Sequence, residues 1–185
     1  VMRSAYAKMT YYLRLAGQID SQDSLDTYDF FSREINYAEV CRIKSELNLL
    51  MSDTVIFYGL GMKVNHNNQF NSNSPLWSTE GCKFIVSSHI EIAHPNVFRI
   101  PKEYTETQNY IAVSDFTITK PGWSTVSESI NGKSTLLLIK RDSFIEDQST
   151  INALNGKLNY HVISLEKFNR LTFNKLLISN HQKQA

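Results

Sequence analysis

The residues best suited to chemistry are Thr119-Lys120-Pro121-Gly122-Trp123-Ser124-Thr125-Val126-Ser127-Glu128-Ser129. An apolar, β-rich run ends at Thr119 and a helical pattern opens at Ser124, so the segment bridges a strand and a helix. Gly122 permits a tight turn and the close approach of another group. Ser124 and Thr125 bring hydroxyls and backbone N–H groups to a helix N-terminus, a natural place for an anion. Lys120 adds a full positive charge to the same edge. Glu128, further into the helix, carries a carboxylate that can accept two hydrogen bonds from a vicinal diol such as a ribose. An anion pocket beside a diol clamp suits a nucleoside diphosphate. The same residues also read as an ordinary helix cap, with Glu128 only complementing the helix dipole. Spacing alone leaves both readings open.

The elements that must position these side chains alternate. Strands are predicted at 54–58, 83–86, 96–100, 116–119, 135–139 and 160–163, each a short apolar run without polar alternation. Helical patterns lie between them, at 109–113, 124–130 and 147–154, with a closing amphipathic helix over 165–178 capped by Ser164. Such continuous apolar strands separated by helices predict a parallel sheet covered on both faces, an α/β Rossmann-like doubly wound fold. Gly59, Gly61, Gly122 and Gly132 fall at element ends. The ligand of such a sheet lies beyond the C-terminal ends of its strands. Upstream, a helix is expected over Ser4–Leu15, a polar linker over Ala16–Phe30, and a helix opening at Ser32-Arg33-Glu34 and carrying Ile35, Val40, Ile43 and Leu47. Residues 66–74 are crowded with Asn and Ser and read as a loop or a poorly formed helix.

Composition excludes several classes. A 42% hydrophobic fraction over 185 residues supports one ordinary core, and a net charge of +1 gives no electrostatic case for nucleic acid. No run approaches the ~18 apolar residues of a membrane span. Cys41 and Cys82 lack metal-ligand spacing and read as buried or half-buried thiols of a reducing, cytoplasmic compartment. The histidines are scattered, so no metal site is expected. Lys140-Arg141 reads as a solvated rim.

Gly122 to Ser129, followed by Glu146-Asp147-Gln148, resembles the donor signature of UDP-dependent glycosyltransferases, both the secondary-product enzymes and the N-acetylglucosaminyltransferase of peptidoglycan synthesis. The resemblance covers about 42–158 and implies the C-terminal, donor-binding half of a GT-B fold. It implies that Glu128 binds the ribose and that Ser124 and Thr125, with Gly59, Gly61, Lys120 and Gly122, surround the diphosphate. It further implies that Asp147 and Gln148 hold hydroxyls of the donor sugar, and that the main chain at Ile100 meets the uracil edge. Lys120 stands where plant enzymes have a histidine, and Ser134 where a proline is usual. Phe98, Arg99 and Tyr104 are candidates for the platform over the base. No cofactor or metal is implied, only a nucleotide sugar, because helix N–H groups and side-chain donors stabilise the departing diphosphate. Residues 1–41 are then expected to be a linker with a remnant of a preceding helical region, and 42–185 the nucleotide-sugar domain. The catalytic base is expected in a missing N-terminal acceptor domain or a partner subunit, so the chain alone is expected to be inactive. Membrane association of a longer protein stays open. Two alternatives also stay open: the donor subunit of a two-chain transferase, and a protein that binds or hydrolyses sugar nucleotides without an acceptor.

Overall fold

The computed structural model describes residues 14–16, 27–61, 74–141 and 144–169. The expected helix before Arg14, the linker core at 18–24, the Asn/Ser-rich stretch up to 73 and the closing helix beyond 169 lie outside the described residues. Six strands form one sheet: β3 (Thr54–Tyr58), β4 (Cys82–Val86), β5 (Val97–Arg99), β6 (Phe116–Thr119), β7 (Thr135–Lys140) and β8 (Tyr160–Ser164). Their order is β5-β4-β3-β6-β7-β8, and every neighbouring pair is parallel. The chain therefore builds outward from β3 through β4 to β5, then returns to place β6 on the other side of β3. That reversal makes the β3/β6 boundary the topological switch point, where the C-terminal strand ends open a crevice.

Side chains alternate across this sheet as the strand period demands. Ile56, Tyr58, Phe84, Val86, Ile118, Leu137 and Ile139 point to one face, against Leu76 and Trp77 of a 3-10 turn and Phe168 of α5 (Leu165–Asn169). Val55, Phe57 and Ile85 point to the other, against α1 (Tyr37–Glu46) and α2 (Thr107–Val113). Leu136 and Leu138 continue that face beneath Val126 of α3 (Trp123–Gly132) and Ile151 of α4 (Ile145–Ala153). Ile56, Ile118 and Leu138 are wholly buried, and each such side chain contributes about 1.5–3 kcal/mol relative to exposure. Helices α2 and α3 approach closely because Gly132 has no Cβ; one added there would stand 3.1 Å from the Ala112 Cα.

Three local expectations change. The first helix opens at Tyr37, not Ser32, because Asn36 is its cap: the Asn36 side chain accepts from the N–H groups of Ala38 and Glu39 at 3.0 and 3.3 Å. The helix runs on to Glu46, and its Val40 and Ile43 share one cluster. Arg14–Leu15 (β1) is not helical but pairs in parallel with Thr27–Tyr28 (β2), inside the stretch read as linker. Cys41 is exposed, since its position on α1 faces away from the sheet, whereas Cys82 is buried. Ser164 does cap α5, accepting from the Lys167 N–H at 3.2 Å.

Candidate functional site

At the switch point the ends of β3 and β6 are joined directly. The Gly59 N–H donates to the Ile118 carbonyl at 3.0 Å, and the Thr119 hydroxyl donates to the Gly59 carbonyl at 2.7 Å. Gly59 is tightly enclosed: a Cβ would meet the Ser87 Oγ at 2.5 Å and the Phe57 ring at 2.9 Å, and those side chains would have to shift. Gly61 follows with φ +75°, a left-handed conformation that side chains disfavour. The Lys120 side chain lies over it, with Cε and Nζ 3.1 Å from where a Gly61 Cβ would be. Gly122 sits beside the same lysine, whose Cε lies 3.6 Å from where a Gly122 Cβ would be, and is the N-cap residue of α3.

Among the described residues no side chain caps the N-terminus of helix α3. Its first N–H groups, including those of Ser124 and Thr125, thus present their partial positive charge beside the Lys120 ammonium. Ser124 is exposed and Thr125 half-buried, with the Thr125 carbonyl accepting from the Ser129 hydroxyl at 2.8 Å. A cavity of about 430 Å³ opens at this helix end, with Trp123, Ser124 and Glu128 on one wall and Leu15, Phe31 and Arg33 on another. The structure thus brings Gly59, Gly61, Lys120 and Gly122 together, and places Ser124 and Glu128 in one adjoining cavity.

Glu128 is not empty-handed. Its side chain is only 8% exposed, and its Oε1 accepts from Arg33 Nη2 at 2.7 Å and Nε at 3.3 Å. Arg33 also donates to the Thr105 carbonyl at 2.5 Å and the Thr107 hydroxyl at 3.0 Å. Trp123 is stacked on Phe30, with ring centroids 4.5 Å apart, and edge-on to Phe31. Sequence reasoning missed Arg33 and both phenylalanines. Their one cue was a charge following the aromatic run Tyr28-Asp29-Phe30-Phe31, which was assigned instead to linker and helix.

Asp147 and Gln148 form a separate cluster at the end of β7 and do not line that cavity. Asp147 is fully buried and grips Arg141 through Oδ1–Nη2 at 2.5 Å, Oδ2–Nε at 3.1 Å and the Arg141 backbone N–H at 3.0 Å. Arg141, read as rim, also lies 3.7 Å over the Phe144 ring. Gln148 is exposed, accepts from Lys140 at 3.2 Å and donates to Asn152 at 2.7 Å. Ile100 is buried in the α1–α2 core, and its N–H is spent on the Val86 carbonyl at 3.0 Å. Tyr104 packs edge-on against Tyr110, with its hydroxyl donating to Glu39 at 3.2 Å and accepting from Asn109 at 3.0 Å. Burial pushes the Tyr104 phenol above its ordinary range. Arg99 pairs with Glu91 at 3.2 Å, and Phe98 is half-buried on the edge strand β5.

No protein-family model matches the sequence, and no curated protein matches it. Solved structures do match in shape. Arabidopsis thaliana UGT89C1 complexed with quercetin superposes with a TM-score of 0.55 at 13% identity, over 89% of this chain and 44% of its own. The glycotransferase of kitacinnamycin gives 0.53 at 11% identity, over 71% and 34%. A family 9 glycosyl transferase from Veillonella parvula gives 0.50 at 10%, over 83% and 47%. The chain shares the Rossmann-like α/β fold, with its parallel sheet, of part of these glycosyltransferases. It spans less than half the length of each of these glycosyltransferase-fold neighbours. Among the described residues, no helix is long and apolar enough to cross a membrane.

Proposed function

We propose that this chain is the C-terminal, donor-binding part of a GT-B glycosyltransferase that transfers a sugar from a nucleotide sugar, a UDP-sugar in the leading reading. The carrying observation is the convergence of Gly59, Gly61, Lys120 and Gly122 at the sheet's switch point with the N-terminus of α3, which no side chain caps among the described residues. Two glycines let a diphosphate approach the main chain, and the lysine and helix N–H groups meet its charge. Stabilisation of the leaving diphosphate by such fixed donors requires no divalent ion. Glu128 is assigned to the ribose through the adjoining cavity. The acceptor and the general base belong to an N-terminal domain or partner outside this chain, and the reaction is cytoplasmic.

Calorimetric titration with UDP tests the reading. Lys120→Ala removes one charge-assisted contact, so UDP affinity is expected to fall by about 1.5–3 kcal/mol, roughly ten- to a hundred-fold. Uridine, without phosphates, should be indifferent to Lys120, and a chelator should not change UDP binding. Failure of UDP to bind, or equal affinity in Lys120→Ala, refutes the assignment.

A further inference from the structure

Resting on that donor-site reading, we infer that Arg33, carried on the extended segment 28–36, occupies the ribose position and must release Glu128 before a nucleotide can be clamped. Each carboxylate oxygen has two lone-pair sites. Both sites on Glu128 Oε1 are taken by Arg33, and Oε2 receives no hydrogen bond among the described residues. With Arg33 in place only Oε2 is left to a ligand, so Glu128 cannot offer its two oxygens side by side, one to each hydroxyl of a vicinal diol.

The segment is a strap over the helical layer that touches the core only through the partly buried Phe30 and Ile35. Phe31 is 63% exposed and the Arg33 side chain 43% exposed. A few polar contacts pin it: Asn131 to the Arg33 carbonyl at 3.2 Å, Gln108 to the Glu34 carbonyl at 3.1 Å, and the Asn36 N–H to Asn109 at 2.9 Å. The Phe30–Trp123 stack anchors its other end, beside the ion pair of Asp29 with Lys157. Lifting Arg33 returns a half-exposed guanidinium to water and leaves the α2–α3 packing intact. A nucleotide that needs Glu128 binds only the fraction of molecules with the strap released, which weakens its apparent affinity by that fraction.

The sign of one substitution tests this. Arg33→Ala removes a cation beside an anionic ligand, so simple electrostatics weakens UDP binding. Release of the strap instead tightens it, by about ten-fold if a tenth of the wild-type molecules are open. Inorganic pyrophosphate, which reaches the α3 N-terminus without a ribose, should bind Arg33→Ala no better than wild type. Because the variant strands a buried carboxylate and can unfold, a second readout uses the wild-type chain. Backbone hydrogen exchange across 28–36 is expected to quicken when UDP saturates the protein. Equal or weaker UDP binding by a folded Arg33→Ala, or exchange at 28–36 that slows or stays constant, overturns the inference. If Lys120→Ala still weakens UDP in that case, the donor reading stands without the strap. If no variant binds UDP, both fall together.

Discussion

Removing the Asp147 carboxylate separates two roles for it, a tether within the fold and a contact to the donor sugar. Asp147 is fully buried at the start of α4 and receives three hydrogen bonds from Arg141, two from the guanidinium and one from the backbone. Deleting one partner of a buried pair costs about 3–5 kcal/mol when the other charge is trapped. Here Arg141 is 30% exposed and can regain water, which lowers the figure for Asp147→Ala to about 2–4 kcal/mol. In a chain of this size that corresponds to a fall in Tm of roughly 5–12 °C. Urea titration of wild type, Asp147→Ala, Arg141→Ala and the double variant gives the coupling, expected at about 1–3 kcal/mol for a contacting pair. UDP and UDP-glucose should bind a folded Asp147→Ala with the same ratio of affinities as wild type. A variant with unchanged stability that discriminates less between the two ligands would refute the tether and restore Asp147 to the sugar.

Gly61→Ala places a Cβ 3.1 Å from the Lys120 ammonium in a left-handed residue, so a stability loss of about 1–2 kcal/mol and weaker UDP binding are expected in the same titrations. Thiol labelling with a bulky disulfide reagent at pH 8 should modify Cys41 alone in the native chain and both cysteines in denaturant. Burial, with Asp115 and Asp53 nearby, pushes the Cys82 thiol up to about 11 from an ordinary 9.0. A group held protonated by the fold contributes stability that is complete below its unfolded pKa and is lost as pH rises toward the folded value. Urea midpoints should therefore fall between about pH 9 and pH 11, and Cys82→Ala should flatten that decline. A decline of equal slope in the variant would assign it to other groups, Tyr58 among them, whose phenol burial also raises.

The sheet was legible because each strand is its own short apolar run. Thr54–Tyr58 and Phe116–Thr119 match the sequence reading to the residue, and the other four sheet strands differ from it by one residue at one or both ends. The turn at Gly122 was legible for the same reason: a strand, a glycine and hydroxyl residues in order have few other uses. What escaped was long-range polar pairing. Nothing local separates a helix-opening Ser32 from Asn36, and the choice is made by Gln108 and Asn109, which hold residues 34–36 extended from more than seventy positions away. Asp147 shows the converse. Its pairing with Arg141 spans only six residues, yet the resemblance points Asp147 at a ligand while Lys140-Arg141 reads as a solvated rim.

The two tryptophans of the chain sit in unlike surroundings. Trp77 is sealed in the sheet's inner face, edge-on to Phe84 and Tyr58. Trp123 is half-buried between the strap phenylalanines and the cavity, on the first turn of α3. Its indole emission consequently reports the strap, while Trp77 supplies a constant background. A Trp77→Phe chain would carry a single tryptophan, at the mouth of the site, so that stopped flow could time strap motion and ligand arrival without any attached dye.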